Sequence, residues 1–136
     1  MTGDDIGREI QLVNAEGLIT PRGHYSHVSL GAGVAYISGQ LPVTPDGNPI
    51  TDRPFAEQAA LTLSNLDSCL AAVGLERSDL LQVRVYVTDI ANWPEFDGIY
   101  SAWLGEHRPA RAVAGVKELH YAAAVEIEAV ALLRHG

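Results

Sequence analysis

One cysteine in 136 residues rules out an internal disulfide. Cys69 falls inside an apolar helical pattern with no basic residue near it in sequence, so it reads as a small core hydrophobe rather than a nucleophile. Basic residues are scarce as well: nine stand against seventeen acidic ones, and the resulting net charge of -8 repels phosphate backbones and argues against nucleic-acid binding. No apolar run approaches the roughly 18 residues of a membrane span. The start Met1-Thr2-Gly3-Asp4-Asp5 lacks the basic opening of a signal peptide, so a soluble cytoplasmic protein with no membrane partner is expected. Internal repeats, low-complexity tracts and interdomain linkers are missing too. At 47% hydrophobic residues, a single domain over residues 1–136 with one core is the expectation.

What the chain does have is periodicity. Glu9-Ile10-Gln11-Leu12-Val13 alternates as an edge strand would, and His24 to Leu30 and Val34 to Ser38 read as two strands joined by Gly31-Ala32-Gly33. That glycine pair is a turn, because the further glycine and helix of a dinucleotide fingerprint do not follow. Leu41 to Arg53 holds too many breakers to be anything but a loop. From Pro54, the residues Phe55, Ala59, Leu63, Leu66, Leu70 and Val73 recur every three or four positions until Gly74, the signature of an amphipathic helix. Val83, Val85 and Val87 then alternate with Gln82, Arg84 and Tyr86 as a strand. A second helix runs from Trp93 through Phe96, Tyr100 and Trp103 to Gly105, with an aromatic face that suits a core better than a base-stacking platform.

The stretch Arg108-Pro109-Ala110-Arg111 leads into another strand, and Val125-Glu126-Ile127-Glu128-Ala129-Val130-Ala131 returns as the last. If these two strands are neighbours, a fixed cation stands beside two carboxylates in an apolar sheet, which packing alone does not require. Two helices can cover one face of the sheet. The other face would carry Arg84, Tyr86, Glu126 and Glu128 beside Val113, Val130 and Leu132, a mixture that points to burial against other copies of the chain. His24 and His27, three apart, fall on opposite faces of a strand, so no metal site is expected. His135 lies in the tail and carries no argument.

Several of these segments together resemble the reactive intermediate deaminase (RidA) family, also known as YjgF/YER057c/UK114. They are Gly23-His24-Tyr25-Ser26, Ile37-Ser38-Gly39-Gln40-Leu41-Pro42, Glu57-Gln58 with Asn65-Leu66, Arg108-Pro109-Ala110-Arg111 and Val125-Glu126-Ile127-Glu128-Ala129, in the family's order from about Thr20 to Leu133. The resemblance implies an α+β domain similar to chorismate mutase of the small trimeric type. Its mixed sheet would be covered on one face by two helices, and three copies would form a central barrel. It also implies a 2-iminobutanoate/2-iminopropanoate deaminase-like hydrolase, acting without cofactor or metal on enamine and imine carboxylates at clefts between subunits.

Carried onto this chain, the family's essential arginine is Arg111, whose guanidinium would grip the substrate carboxylate, and its water-associated glutamate is Glu126. Tyr25, Ser38 and Gly39 would line the cleft together with Val113 and Asp97. This chain departs from the family's frequent residues at His24 (proline), Val113 (cysteine), Asp97 (asparagine) and His120 (proline after Leu119). These changes bear on substrate range more than on reaction class. The opening Thr20-Pro21-Arg22-Gly23-His24-Tyr25 also looks like that of deaminases acting on aminomuconate-type intermediates, where a larger dicarboxylate would use His24 or His27. Two further readings stand beside these: a carboxylate-binding module without turnover, and a ribonuclease, which the acidic charge disfavours. From the residues alone, Arg111 is equally a structural partner of Glu126 or Glu128, and Glu128 itself reads as a structural partner of a cation.

Overall fold

The alternating valines and the leucine repeat become the two sides of one core. In the computed structural model, which describes residues 9–134, the elements are strands β1 (Gln11–Val13), β2 (Val28–Gly31) and β3 (Val34–Gln40), helix α1 (Phe55–Ala72), strand β4 (Leu80–Val87), helix α2 (Trp93–Leu104), and strands β5 (Ala110–Gly115) and β6 (Val125–Leu132). Met1 to Asp5, weighed above as a leader, and His135 lie outside the described residues. The strands make one six-stranded sheet in the order β1-β2-β3-β6-β4-β5. Pairing is antiparallel everywhere except between β4 and β5. The architecture is the expected α+β one, a mixed sheet with both helices on one face.

Leu63, Leu66 and Leu70 of α1 meet Val83, Val85, Val125 and Ile127 from the sheet, all of them buried. Cys69 belongs to this core, and burial pushes its thiol up to about 12. Pro54 acts as the residue before α1 rather than as its first turn, and Gly74 ends the segment at a positive φ of 72°. Among the described residues, no helix is long and apolar enough to cross a membrane.

Three expectations need correction. The strand anticipated from His24 begins only at Val28. Before that point, side chains take over the backbone bonds that a ladder would use: Asn14 Oδ1 accepts from the His27 N–H at 3.0 Å, and His27 Nδ1 accepts from the Ala15 N–H at 2.9 Å. Second, β5 and β6 are not neighbours. A helix between β4 and β5 makes a crossover unit, which docks β5 parallel on the outer side of β4. The returning β6 must then take the other side of β4, against β3. Third, Val113 pairs with buried Val85 and packs on the helix-covered core, so it does not join the open face.

The open face otherwise has the mixed character foreseen. Along one row stand Leu12, Ser29, Tyr36 and Val130, and Tyr36 is 56% exposed. Arg84 with Glu128 and Tyr86 with Glu126 form the rows beside it.

The long loop after β3 is held by buried amides on α1. Asn65 Nδ2 donates to the carbonyls of both Leu41 and Val43 at 2.9 Å. Gln58 donates to Arg53 O at 2.9 Å and accepts from the Ala124 N–H at 2.9 Å, tying the loop to the start of β6. Replacing such a group by an apolar isostere strands the backbone partners. Asn65→Leu is therefore expected to cost about 2 kcal/mol, read as a lower urea midpoint at unchanged slope.

Candidate active site

The end of β3 and the start of β6 create the first cleft. Between Ile37 and Gln40 the register with β6 slips by one residue, a bulge at Ser38-Gly39 that bends the strand and re-aims its neighbours. Glu126 fills the space so opened: a Cβ on Gly39 would lie 2.3 Å from Glu126 Oε2. Glycine is thus required there for the carboxylate to approach the backbone. Ser38 does not offer its hydroxyl freely, because Oγ donates to Ser26 O at 2.6 Å and pins the approach to β2. Tyr25, 53% exposed, stands across the same cleft, which has a volume of about 520 Å³.

Burial holds the Glu126 carboxyl above its ordinary value of 4.5; nearby Glu128 adds to the effect and His120 opposes it. Glu128 also lines this cleft, with its carboxylate already engaged. It accepts a hydrogen bond from the Tyr86 hydroxyl and lies 3.9 Å from Arg84 Nη1. The hydrogen bond to Glu128 is the main reason that the Tyr86 hydroxyl is shifted upward. Glu128 is thus the structural partner of a cation, as the sequence reading had it. The rim opposite comes from the single helical turn His120–Ala122. Here Tyr121 and Ala122 adopt left-handed φ values of 62° and 58°, a conformation costing roughly 1–2 kcal/mol for a residue with a Cβ. Strain of this kind persists only where the surroundings enforce it.

Arg111 occupies a second cleft of about 480 Å³, with Asp97 and Tyr100 of α2. Its Nη1 donates to Asp97 Oδ1 at 2.8 Å. Its guanidinium carbon lies 4.9 Å from the Trp93 ring centre and 5.1 Å from that of Tyr100, so cation–π contacts fix the fork between two rings. Asp97 takes one of five N–H donors and leaves the others for a ligand. The Tyr100 hydroxyl is buried and has no hydrogen-bond partner among the described residues, and desolvation drives its pKa to about 12. A buried neutral donor beside a cation is well suited to a carboxylate oxygen.

Arg111 and Glu126 therefore do not meet within one chain, and the bland expectation of an Arg111 pair with Glu126 or Glu128 gives way to a pair with Asp97. Arg111 stands opposite Val83 on the helix-covered face, whereas Glu126 stands opposite Tyr86 on the open face. Tyr25, Ser38, Gly39 and Glu126 share one cleft; Arg111 and Asp97 share the other; Val113 lines neither. His27, considered as a ligand donor, is buried and spent on backbone contacts. Burial lowers its pKa, which fits an imidazole kept neutral. Among the described residues, no group of three or more His, Cys, Asp or Glu side chains is placed to hold a metal. Trp93, Tyr100, Arg22 and Tyr121 escaped the sequence reading. Only the aromatic spacing of α2 hinted at the first two.

Known proteins resemble the chain over nearly its full length. It is 36% identical over 127 residues to a RutC family protein of Aquifex aeolicus, spanning 92% of this chain and 98% of that one. It is 32% identical over 127 residues to the human 2-iminobutanoate/2-iminopropanoate deaminase, spanning 93% and 90%. Among solved structures, E. coli TdcF with bound serine superposes with a TM-score of 0.85 at 26% identity, over 91% of this chain and 99% of that one. The family model described as Endoribonuclease L-PSP matches residues 16–133, and the chain belongs to that family, the YjgF/RidA family that its motifs resemble.

Proposed function

We propose that this protein hydrolyses reactive imine and enamine carboxylates to 2-oxo acids and ammonia, at clefts completed by a second copy of the chain within a homotrimer. The observation that carries the reading is the division of the site: a locked, partly free guanidinium on one face and a carboxyl of raised pKa on the other. Within one chain the two halves lie on opposite faces of the sheet, and in this reading a second copy brings them together. The apolar row of Leu12, Tyr36 and Val130 on the open face supplies the surface for that association. The human relative's name and the serine in TdcF agree with a small amino-acid-derived ligand.

In this reading, Arg111 grips the substrate carboxylate with the N–H groups that Asp97 leaves free, and the Tyr100 hydroxyl adds a donor. Asp97 is a positioning residue. An enamine first tautomerises to the imine; Glu126 then accepts a proton from water as its oxygen bonds to the iminium carbon, returns that proton to the nitrogen of the resulting carbinolamine, and takes the hydroxyl proton as the carbon–nitrogen bond breaks, releasing it to solvent. Water is consumed, ammonia leaves, and the carbonyl remains. An iminium carbon is already electrophilic, so orientation and one proton carrier account for the step.

The test is ammonia release from an imine generated in situ by an amino-acid oxidase, measured over the spontaneous rate. Arg111→Ala should lower kcat/KM by roughly a hundredfold or more, with oligomer size unchanged by light scattering; full turnover in that variant would sink the assignment. Co-refolding Arg111→Ala with Glu126→Gln should restore activity in about a quarter of the clefts, since each intact cleft takes its two halves from different chains. No recovery would place both groups in one subunit.

Because the Glu126 pKa is raised, its ionised form is the disfavoured one. The acid limb of kcat should accordingly fall above pH 4.5, the ordinary value, and vanish in Glu126→Gln. The stability effect has the opposite sense: this group favours the folded chain most below its unfolded pKa, and that contribution is lost as pH rises through the folded value. Glu126→Gln should therefore flatten the decline in urea midpoint across that interval.

A further inference from the structure

Arg53, Arg77, Arg84, Arg111 and Arg134 each contact a carboxylate, at 2.8–3.9 Å. Arg22 is arranged differently. It is exposed at the mouth of the Tyr25 cleft, and its Nη2 donates to the Gly47 carbonyl at 2.8 Å while Nη1 donates to the Tyr121 hydroxyl at 3.3 Å. Both partners are neutral, and among the described residues no carboxylate lies within ion-pair distance of Arg22. Gly47 is shaped for this contact: it has a φ of 95°, and a Cβ there would stand 2.2 Å from Arg22 Nη2. The guanidinium is thus immobilised without being neutralised, and three of its five N–H donors are uncommitted. That is an arrangement for an anion that arrives from outside.

The partner Tyr121 sits in the strained turn, and its ring meets that of His120 edge-on at 4.1 Å between centroids. His120 lines the same cleft as Arg22. Glu126 and Glu128 line the same cleft, so a negative group entering here is favoured beside Arg22 and disfavoured beside the carboxylates. A cleft of about 520 Å³ also falls in the range that holds ligands larger than a four-carbon imino acid. His27, the donor suggested by sequence for a larger substrate, is sealed in the fold, and this rim takes its place.

We propose that Arg22, with His120 beside it, forms a second anion subsite that receives a side-chain carboxylate, so that imines and enamines with two carboxylates are the preferred substrates. The subsite deepens the deaminase reading and rests on it for the reacting end of the ligand. Arg111 of one copy would hold the carboxylate next to the imine carbon, and Arg22 of the other the distal one.

The experiment compares iminosuccinate, generated from aspartate, with 2-iminopropanoate, generated from alanine, in wild type, Arg22→Gln and His120→Gln. Binding of succinate and propanoate by calorimetry supplies a readout independent of turnover. Wild type is expected to favour the dicarboxylate in both assays, and Arg22→Gln should cut the ratio of the two kcat/KM values about tenfold, the worth of a charge-assisted hydrogen bond. His120→Gln should cut it less. Absence of a dicarboxylate preference in wild type, or equal losses on both substrates in Arg22→Gln, overturns the subsite even if both imines turn over. Succinate preference that Arg22→Gln removes, with no acceleration of either imine, upholds the subsite and discards the deaminase chemistry.

Discussion

Everything in this fold turns on β6 lying between β3 and β4. Once enclosed on both edges, the strand must send Val125, Ile127, Ala129 and Ala131 under the helices, and its other residues to the opposite face. A one-residue slip would bury two glutamates in the core, at a cost no partner there could offset. Sheet register and the placement of the carboxylates are therefore one constraint. The bulge in β3 is its complement: the extra residue restores the inward phase at Gln40 while opening room beside Gly39 for Glu126.

The second half of the site follows from a different rule. β5 joins the sheet through a helical crossover, and the same helix that makes the connection supplies Trp93, Asp97 and Tyr100 around Arg111. The surroundings of Arg111 are thus built by elements close in sequence, whereas the Glu126 cleft is assembled from segments about a hundred residues apart. The two clefts differ in electrical character as well: one holds Arg111 paired with Asp97, the other a reluctant acid together with Arg22.

How much of this was legible depended on range. The helices and the strand alternations were readable, because three- or four-residue and two-residue periods are local properties of Leu63, Leu66 and Leu70 or of Val83, Val85 and Val87. The neighbours of β5 and β6 were not, since nothing inside either strand records which edge it meets. That single ambiguity produced the false expectation of Arg111 beside Glu126. Tyr25, Ser38, Gly39 and Glu126, grouped by motif, line one cleft in the fold, but Ser38's bond to Ser26 and Gly39's role as a space for Glu126 appear only in three dimensions. Arg22 stood in the segment Thr20 to Tyr25 that carried the aminomuconate resemblance, but its own placement was not legible, because its partners Gly47 and Tyr121 lie 25 and 99 residues away. Val113, named for the site by position in a motif, is a core-packing residue.

The burial of Cys69 has a chemical consequence under the proposed deaminase chemistry. With its thiol wrapped in the core and its pKa near 12, the chain's one sulfhydryl exposes essentially no thiolate at neutral pH. Under that chemistry, a conjugated enamine or an iminium in the clefts would find no exposed thiolate to alkylate, and burial of Cys69 would protect the protein from covalent self-inactivation.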